Sequence, residues 1–254
     1  HRDLHSFPTR RSSDLSATIT VTPTYTNSGL ACEGPPTVFT ITILPAGQVN
    51  QPANALYCHG DLTSLIEFTT VNGNGTTTFL WTNDHPSIGL PANGSGDIGP
   101  FTATNSGMFP IVATITVTPE FGVGNETCHG DPVNFTITVN PPGQVNQPPS
   151  QTVCHTAVTA PITFSTANTG GTTTYSWVND NSSIGLAPAG TGDNIPGFPA
   201  QNPGLVPITA TITVTPHFTL DGLTCDGPPK SFTITVNPGG HVVQPSDLSI
   251  CHNE

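Results

Sequence analysis

The sequence predicts an all-β fold of tandem antiparallel β-sandwiches, each about the size of an immunoglobulin domain. Three observations carry this. The chain is poor in the residues that helices favour on exposed faces, with only 4 Lys plus Arg and 1 Met in 254 residues. Its Thr, Val, Ile and Phe fall in strict alternation, which gives a strand one buried and one solvated face. The chain also repeats itself every 96 or 97 residues. That period is too long for a solenoid turn or propeller blade and near the length of one immunoglobulin-like sandwich.

The repeat is read from four motifs. ATITVTP stands at 17–23, 113–119 and 210–216, and FTITILP at 39–45 becomes FTITVNP at 135–141 and 232–238. QVNQP at 48–52 and 144–148 becomes HVVQP at 241–245, and WTNDHPSIGL at 81–90 becomes WVNDNSSIGL at 177–186. The second full copy holds one extra residue near Asn194. This places the last third of one unit at 16–47, full units at 48–143 and 144–240, and the start of another at 241–254. The sequence thus reads as a stretch of a longer array.

Residues 1–15 stand apart. HSFPTRRSSDL, at 5–15, matches the in-frame translation of a widely used sequencing-adapter oligonucleotide. With Arg2 it holds three of the four basic residues and leaves Lys230 as the only other. Residues 1–15 are read as a non-native artefact and set aside from fold reasoning.

Within a unit the strands follow from alternation. Strands earlier in the unit are expected around Ile66–Val71 and Ile162–Ala167, then at Thr76–Thr82 and Thr172–Val178. There Phe79 and Trp81, like Tyr175 and Trp177, are two apart and share a face. ATITVTP and FTITVN form the last two strands, joined through the Gly-rich connections GVGNETCHGDP and TLDGLTCDGPP as a long hairpin. About seven strands per unit are expected. Trp81 and Trp177 are read as core plugs of their sandwiches. Pro45, Pro141 and Pro238 end each unit, and such short Pro-bearing junctions favour a semi-rigid array.

Charge and motif content narrow the function. A formal charge of −12 without a basic stripe argues against nucleic-acid binding. No apolar run is long enough to insert in a membrane. No GxSxG, HExxH or Walker pattern is present, so no catalytic residues, enzyme activity or cofactor are expected. Asn83-Asp84, Asn179-Asp180, Asp97 and Asp193 lie in loops without Asp-x-Asp-x-Asp spacing and read as turn formers rather than calcium ligands. The Cys-His dipeptides at 58, 128, 154 and 251 lack zinc-ligand spacing, so no metal site is expected.

Six cysteines, at 32, 58, 128, 154, 225 and 251, put two in each repeat and suggest an oxidising compartment. Pairing within units gives Cys58–Cys128 and Cys154–Cys225. Pairing across junctions gives Cys32–Cys58, Cys128–Cys154 and Cys225–Cys251. Loop entropy is worth about 4.4 kcal/mol for the longer loops and about 3.5 for the shorter, which does not decide. The intradomain pairs are preferred because a repeat that stands alone carries its own staple. Against them, an immunoglobulin-like order puts the last hairpin and the first turn at opposite ends.

Taken in order, first-strand Cys, Trp-x-Asn-Asp-x-x-Ser-Ile-Gly-Leu, Ala-Thr-Ile-Thr-Val-Thr-Pro, Cys-x-Gly and Phe-Thr-Ile-Thr-Val-Asn-Pro resemble the PKD-like domains of Bacteroidota surface proteins. The resemblance covers 16–254. It implies immunoglobulin-like sandwiches strung along large secreted or surface-anchored proteins, some of them adhesive, and it supplies no catalytic residues. The expected function is a structural stalk or spacer, extracellular or at the cell surface, with neighbouring repeats of the same chain as partners. The alternative is an adhesin module whose loops, such as 91–100 and 187–197, bind a surface glycan or protein.

Overall fold

The computed structural model describes residues 13–250. Residues 1–12, which hold most of the segment set aside above, and residues 251–254, with Cys251, lie outside the described residues. The chain divides into two units, one taking the chain up to Thr104 with Ile111–Val139, the other Asn105–Pro110 with Asn140 onward.

The first unit opens with β1 (Leu15–Val21), β2 (Thr24–Asn27), β3 (Leu30–Glu33) and β4 (Thr37–Ile43), then holds β5 (Ala55–Cys58), β6 (Thr76–Asn83), β7 (Asn93–Ser95), β8 (Ile111–Val123), β9 (Glu126–His129) and β10 (Val133–Asn140). The second repeats the later pattern: β11 (Gln151–Cys154), β12 (Ile162–Thr163), β13 (Thr172–Asn179), β14 (Ala189–Thr191), β15 (Asn194–Ile195), β16 (Ile208–Leu220), β17 (Leu223–Asp226) and β18 (Lys230–Asn237). Strand orders β5-β10-β8-β6-β7 and β11-β18-β16-β13-β14 build one regular sheet in each unit. The fold is all-β, in tandem immunoglobulin-like sandwiches.

Two features depart from the sequence expectation. The first-strand pairing is parallel in the second unit, with Gln151 opposite Ile234 and Cys154 opposite Asn237. An otherwise antiparallel sandwich therefore has one parallel edge. The second layer is also far less regular than the expected strands at Ile66–Val71 and Ile162–Ala167. In the first unit it is reduced to bridges Leu62–Thr102 and Ile66–Ile98. There the amide of Phe68 donates to the Asp97 carboxylate, 2.8 Å away, instead of to a strand partner. In the second unit the extra residue, Asn194, extends the chain. The Phe164 amide donates to the Asp193 carbonyl, and Ile162–Thr163 pair with Asn194–Ile195.

β8 and β16 centre each regular sheet. β8 pairs β6 along one edge, while along the other it pairs β10 from Ile111 to Val117 and β9 from Glu120 to Val123. Pro119 sits at the changeover, where its missing N–H leaves no gap in a ladder. The Gly-rich connection folds into a tight hairpin, with Leu220 opposite Leu223 in the second unit. Asp221 and Gly222 both have positive φ, 50° and 82°. This is the twist-matched type I′ arrangement for which Asp-Gly is suited.

Alternation buries Ala113, Ile115, Val117, Phe135, Ile137 and Val139, and their second-unit counterparts. Trp81 and Trp177 are each 7% exposed and belong to the two separate cores. Phe68 lies 5.6 Å from Phe79 and 6.3 Å from Phe135, ring centre to centre. In the N-terminal hairpin the same register recurs, with Ala17 opposite Ile41 and Ile19 opposite Phe39, but Phe39 and Ile41 are exposed.

Each indole packs on a glycine. A Cβ on Gly94 would lie 2.1 Å from the Trp81 ring, and one on Gly190 would lie 2.3 Å from Trp177. Gly94→Ala is therefore expected to lower stability by about 1–3 kcal/mol, the range for overpacking a core. Urea denaturation followed by tryptophan fluorescence measures this, and an unchanged midpoint would contradict the ring-on-glycine packing.

Candidate functional site

The Trp-x-Asn-Asp stretch gathers the most polar chemistry in each unit. Asn83 and Asn179 are buried. The Asn83 side-chain amide donates to the Leu90 carbonyl at 2.9 Å, and its Oδ1 accepts from the His85 amide at 2.9 Å. Asn179 repeats both, toward the Leu186 carbonyl at 3.1 Å and from the Asn181 amide at 3.1 Å. Each asparagine thereby clamps a 3-10 turn, Pro86–Ile88 or Ser182–Ile184, whose isoleucine is buried. The next residue clamps the long strand. Asp84 Oδ1 accepts from the Thr114 amide at 2.6 Å, and Asp180 Oδ1 from the Thr211 amide at 2.7 Å. The His85 ring and the Thr114 amide hold the Asp84 carboxyl below its ordinary pKa. The clamp is thus present at neutral pH and is lost as pH falls through that lowered value. These carboxylates are occupied by backbone donors. Among the described residues no group of three or more metal-donor side chains assembles.

A second constellation escaped the sequence reading. On the solvent face of the second unit, Ser176 Oγ lies 2.8 Å from His217 Nε2, and His217 Nδ1 lies 2.6 Å from Asp226 Oδ1. The distances are those of an acyl-transfer triad. The setting is different. All three side chains stand on β13, β16 and β17, whose amides are engaged in the ladders that pair them. The first unit has Leu80, Glu120 and His129 at these places. There Glu120 and His129 form a pair at 3.1 Å, with acid and imidazole exchanged between strands. His217 and Asp226, like Glu120 and His129, are directly opposite in register. Swapping the two charges preserves a cross-strand attraction and abolishes a triad. The only sequence signal was this compensated exchange.

The cysteines differ most from expectation. Cys58 and Cys225 each take part in a disulfide, while Cys32, Cys128 and Cys154 are free. The expected intradomain pairs Cys58–Cys128 and Cys154–Cys225 are therefore not made, and neither are Cys32–Cys58 and Cys128–Cys154. Cys251, the partner in Cys225–Cys251, lies outside the described residues. The second unit shows the reason. Cys154 is level with Asn237, where β18 ends. Cys225 is opposite Phe218, and its carbonyl accepts from the amide of Gly143, where the chain comes in. About eleven residues of strand separate those levels, roughly 36 Å at ~3.3 Å per residue, against the ~4.4–6.8 Å between Cα atoms that a disulfide spans. The Cys-His dipeptide has a structural use here, because His155 Nδ1 accepts from the Asn202 amide at 3.0 Å.

No protein-family profile matches the chain, and no curated protein matches it. Several solved structures are similar in part. Human mucin-like protocadherin EC1-2 shares 9% identity at a TM-score of 0.32, over 76% of this chain and 98% of that one. Mouse protocadherin-24 EC1-3 shares 14% at 0.34, over 88% and 80%. The insect immune protein hemolin shares 12% at 0.30, over 87% and 56%. The immunoglobulin-like description rests on this chain's own strand order. Among the described residues no helix is long and apolar enough to cross a membrane.

If the Ser176–His217–Asp226 cluster is a cross-strand brace, Ser176 is no stronger a nucleophile than an ordinary serine. A phosphonofluoridate probe is expected to leave the intact mass of the folded protein unchanged. Stoichiometric labelling mapped to Ser176 would establish an activated hydroxyl.

Proposed function

We propose that residues 16–254 act as a structural spacer of an extracellular or cell-surface protein, built from PKD-like repeats of the kind found in Bacteroidota. One observation carries this reading. The distinctive polar residues of the repeat, Asn83, Asp84, Asp97 and their counterparts Asn179 and Asp180, are committed to holding their own loops and strands. A glycan site needs polar groups and an aromatic platform turned outward, and both tryptophans are turned in. The disulfide supports an oxidising, extracellular setting. The nearly base-free surface favours solubility and mutual repulsion over capture of anionic partners. The neighbouring repeats are the partners this role requires, and it requires no catalysis.

The competing adhesin reading puts a glycan or protein ligand on loops 91–100 and 187–197. A glycan array together with a calcium titration, both on the full chain, separates the two. The spacer reading expects no saturable binding up to millimolar concentration. Saturable micromolar binding to one glycan class would replace it with a lectin-like module.

A further inference from the structure

We propose that this chain binds a second copy of itself by strand addition: residues 244–250 of one copy pair, in parallel, with the open edge of β4 in the next. This inference is independent of the spacer reading.

The same docking is made twice within the chain. β10 has β8 on one side and β5 on the other, and β18 has β16 and β11. In the second unit the added strand is parallel, with Gln151 opposite Ile234 and Val153 opposite Val236. The residues leading into it lie along the same edge. The Gln51 side chain donates to the Asn134 carbonyl at 2.8 Å, and the Asn54 side chain accepts from the Thr136 amide at 2.9 Å. Gln147 and Ser150 repeat both contacts, on the Ser231 carbonyl at 2.8 Å and the Thr233 amide at 3.0 Å.

β4 has the sequence for this docking and no strand to fill it. Phe39-Thr40-Ile41-Thr42 matches Phe135–Thr138 and Phe232–Thr235. Its register with β1 is that of β10 with β8. Among the described residues β1 and β4 form a sheet of two, so the edge bearing the Val38 carbonyl and the Thr40 amide carries no third strand. Phe39, Ile41 and Ile43 are exposed, where Phe135, Ile137 and Val139 are buried. A matching strand stands elsewhere in the same chain. Gln244, Asp247, Leu248 and Ile250 hold the places of Gln147, Ser150, Gln151 and Val153. Residues 241–250 form no strand, and Leu248 and Ile250 are exposed, whereas Val153 packs on a core. Copying the observed register sets Leu248 opposite Ile41 and Ile250 opposite Ile43. Gln244 then donates to the Val38 carbonyl, Asp247 accepts from the Thr40 amide, and Ile250 covers part of the apolar face. An open sheet edge is a template for such pairing. Donor and acceptor are different surfaces, so the contact is heterologous and copies add in series.

Sedimentation equilibrium of the full chain tests this, from micromolar to millimolar concentration, with free thiols alkylated and disulfides left intact. The average mass is expected to rise with concentration past that of two copies. Two variants divide the contact. Ile250→Pro removes an N–H and an apolar contact from the donor. Thr40→Pro removes one N–H from the acceptor edge and spares the β1 ladder, because the matching Thr136 and Thr233 amides point away from theirs. Each variant alone is expected to remain a single chain. An equimolar mixture is expected to form a dimer and nothing larger, since one working donor and one working acceptor remain between them. A parent chain that stays single at every concentration would overturn the proposal. So would association of either variant alone, or a mixture that does not dimerise.

Discussion

Each unit depends on one thirteen-residue strand, β8 or β16, that must satisfy three partners at once. A proline within it would ordinarily break a sheet. Pro119 and Pro216 do not, because each falls where one neighbour has ended and the next has not begun. The carbonyl of each accepts from the glycine beyond the return strand, Gly130 or Gly227. That closeness leaves no room for a side chain: a Cβ on Gly130 would lie 1.8 Å from the Gly47 carbonyl oxygen, and one on Gly227 would lie 1.6 Å from that of Gly143. The two glycines and the proline therefore fix where the incoming chain crosses the hairpin, and hence where the hairpin cysteine sits.

Groups that resemble chemistry prove to be fasteners. Within Trp-x-Asn-Asp the three named residues divide the work: the indole fills the core, the amide closes the following turn, and the carboxylate grips the long strand. The imidazole–carboxylate pair across the hairpin recurs with its members exchanged, an exchange that keeps the attraction and drops the serine–imidazole contact. A buried polar group without a partner is costly. The Trp81 and Trp177 indole N–H groups have none, an expense tolerated for close stacking on glycine.

Much of the regular sheet was legible because alternation is a local property. Ile115 and Phe135 announce a buried face through their immediate neighbours. The Asp221-Gly222 turn was equally local, yet it lay inside a run that read as one long connection. The second layer was illegible because its pairing turns on a single residue: Asp97 competes for the Phe68 amide in one copy, and Asn194 relieves that competition in the other. The Ser176–His217–Asp226 cluster and the levels of the cysteines were hidden for a different reason. Both depend on register and on which end of the sheet a strand occupies, and no spacing within one repeat records these.

The two cysteines of a repeat also decide which bonds would carry tension. Cys154 stands level with the last residue of β18, and Cys225 stands on the hairpin beside the incoming Gly143, so each marks one end of its own sheet. Cys154 is free, and among the described residues no covalent bridge spans the second unit from one end to the other. A pull along that unit is therefore borne by the ladders that β16 makes with β13, β17 and β18, and its resistance is that of backbone hydrogen bonds rather than of sulfur.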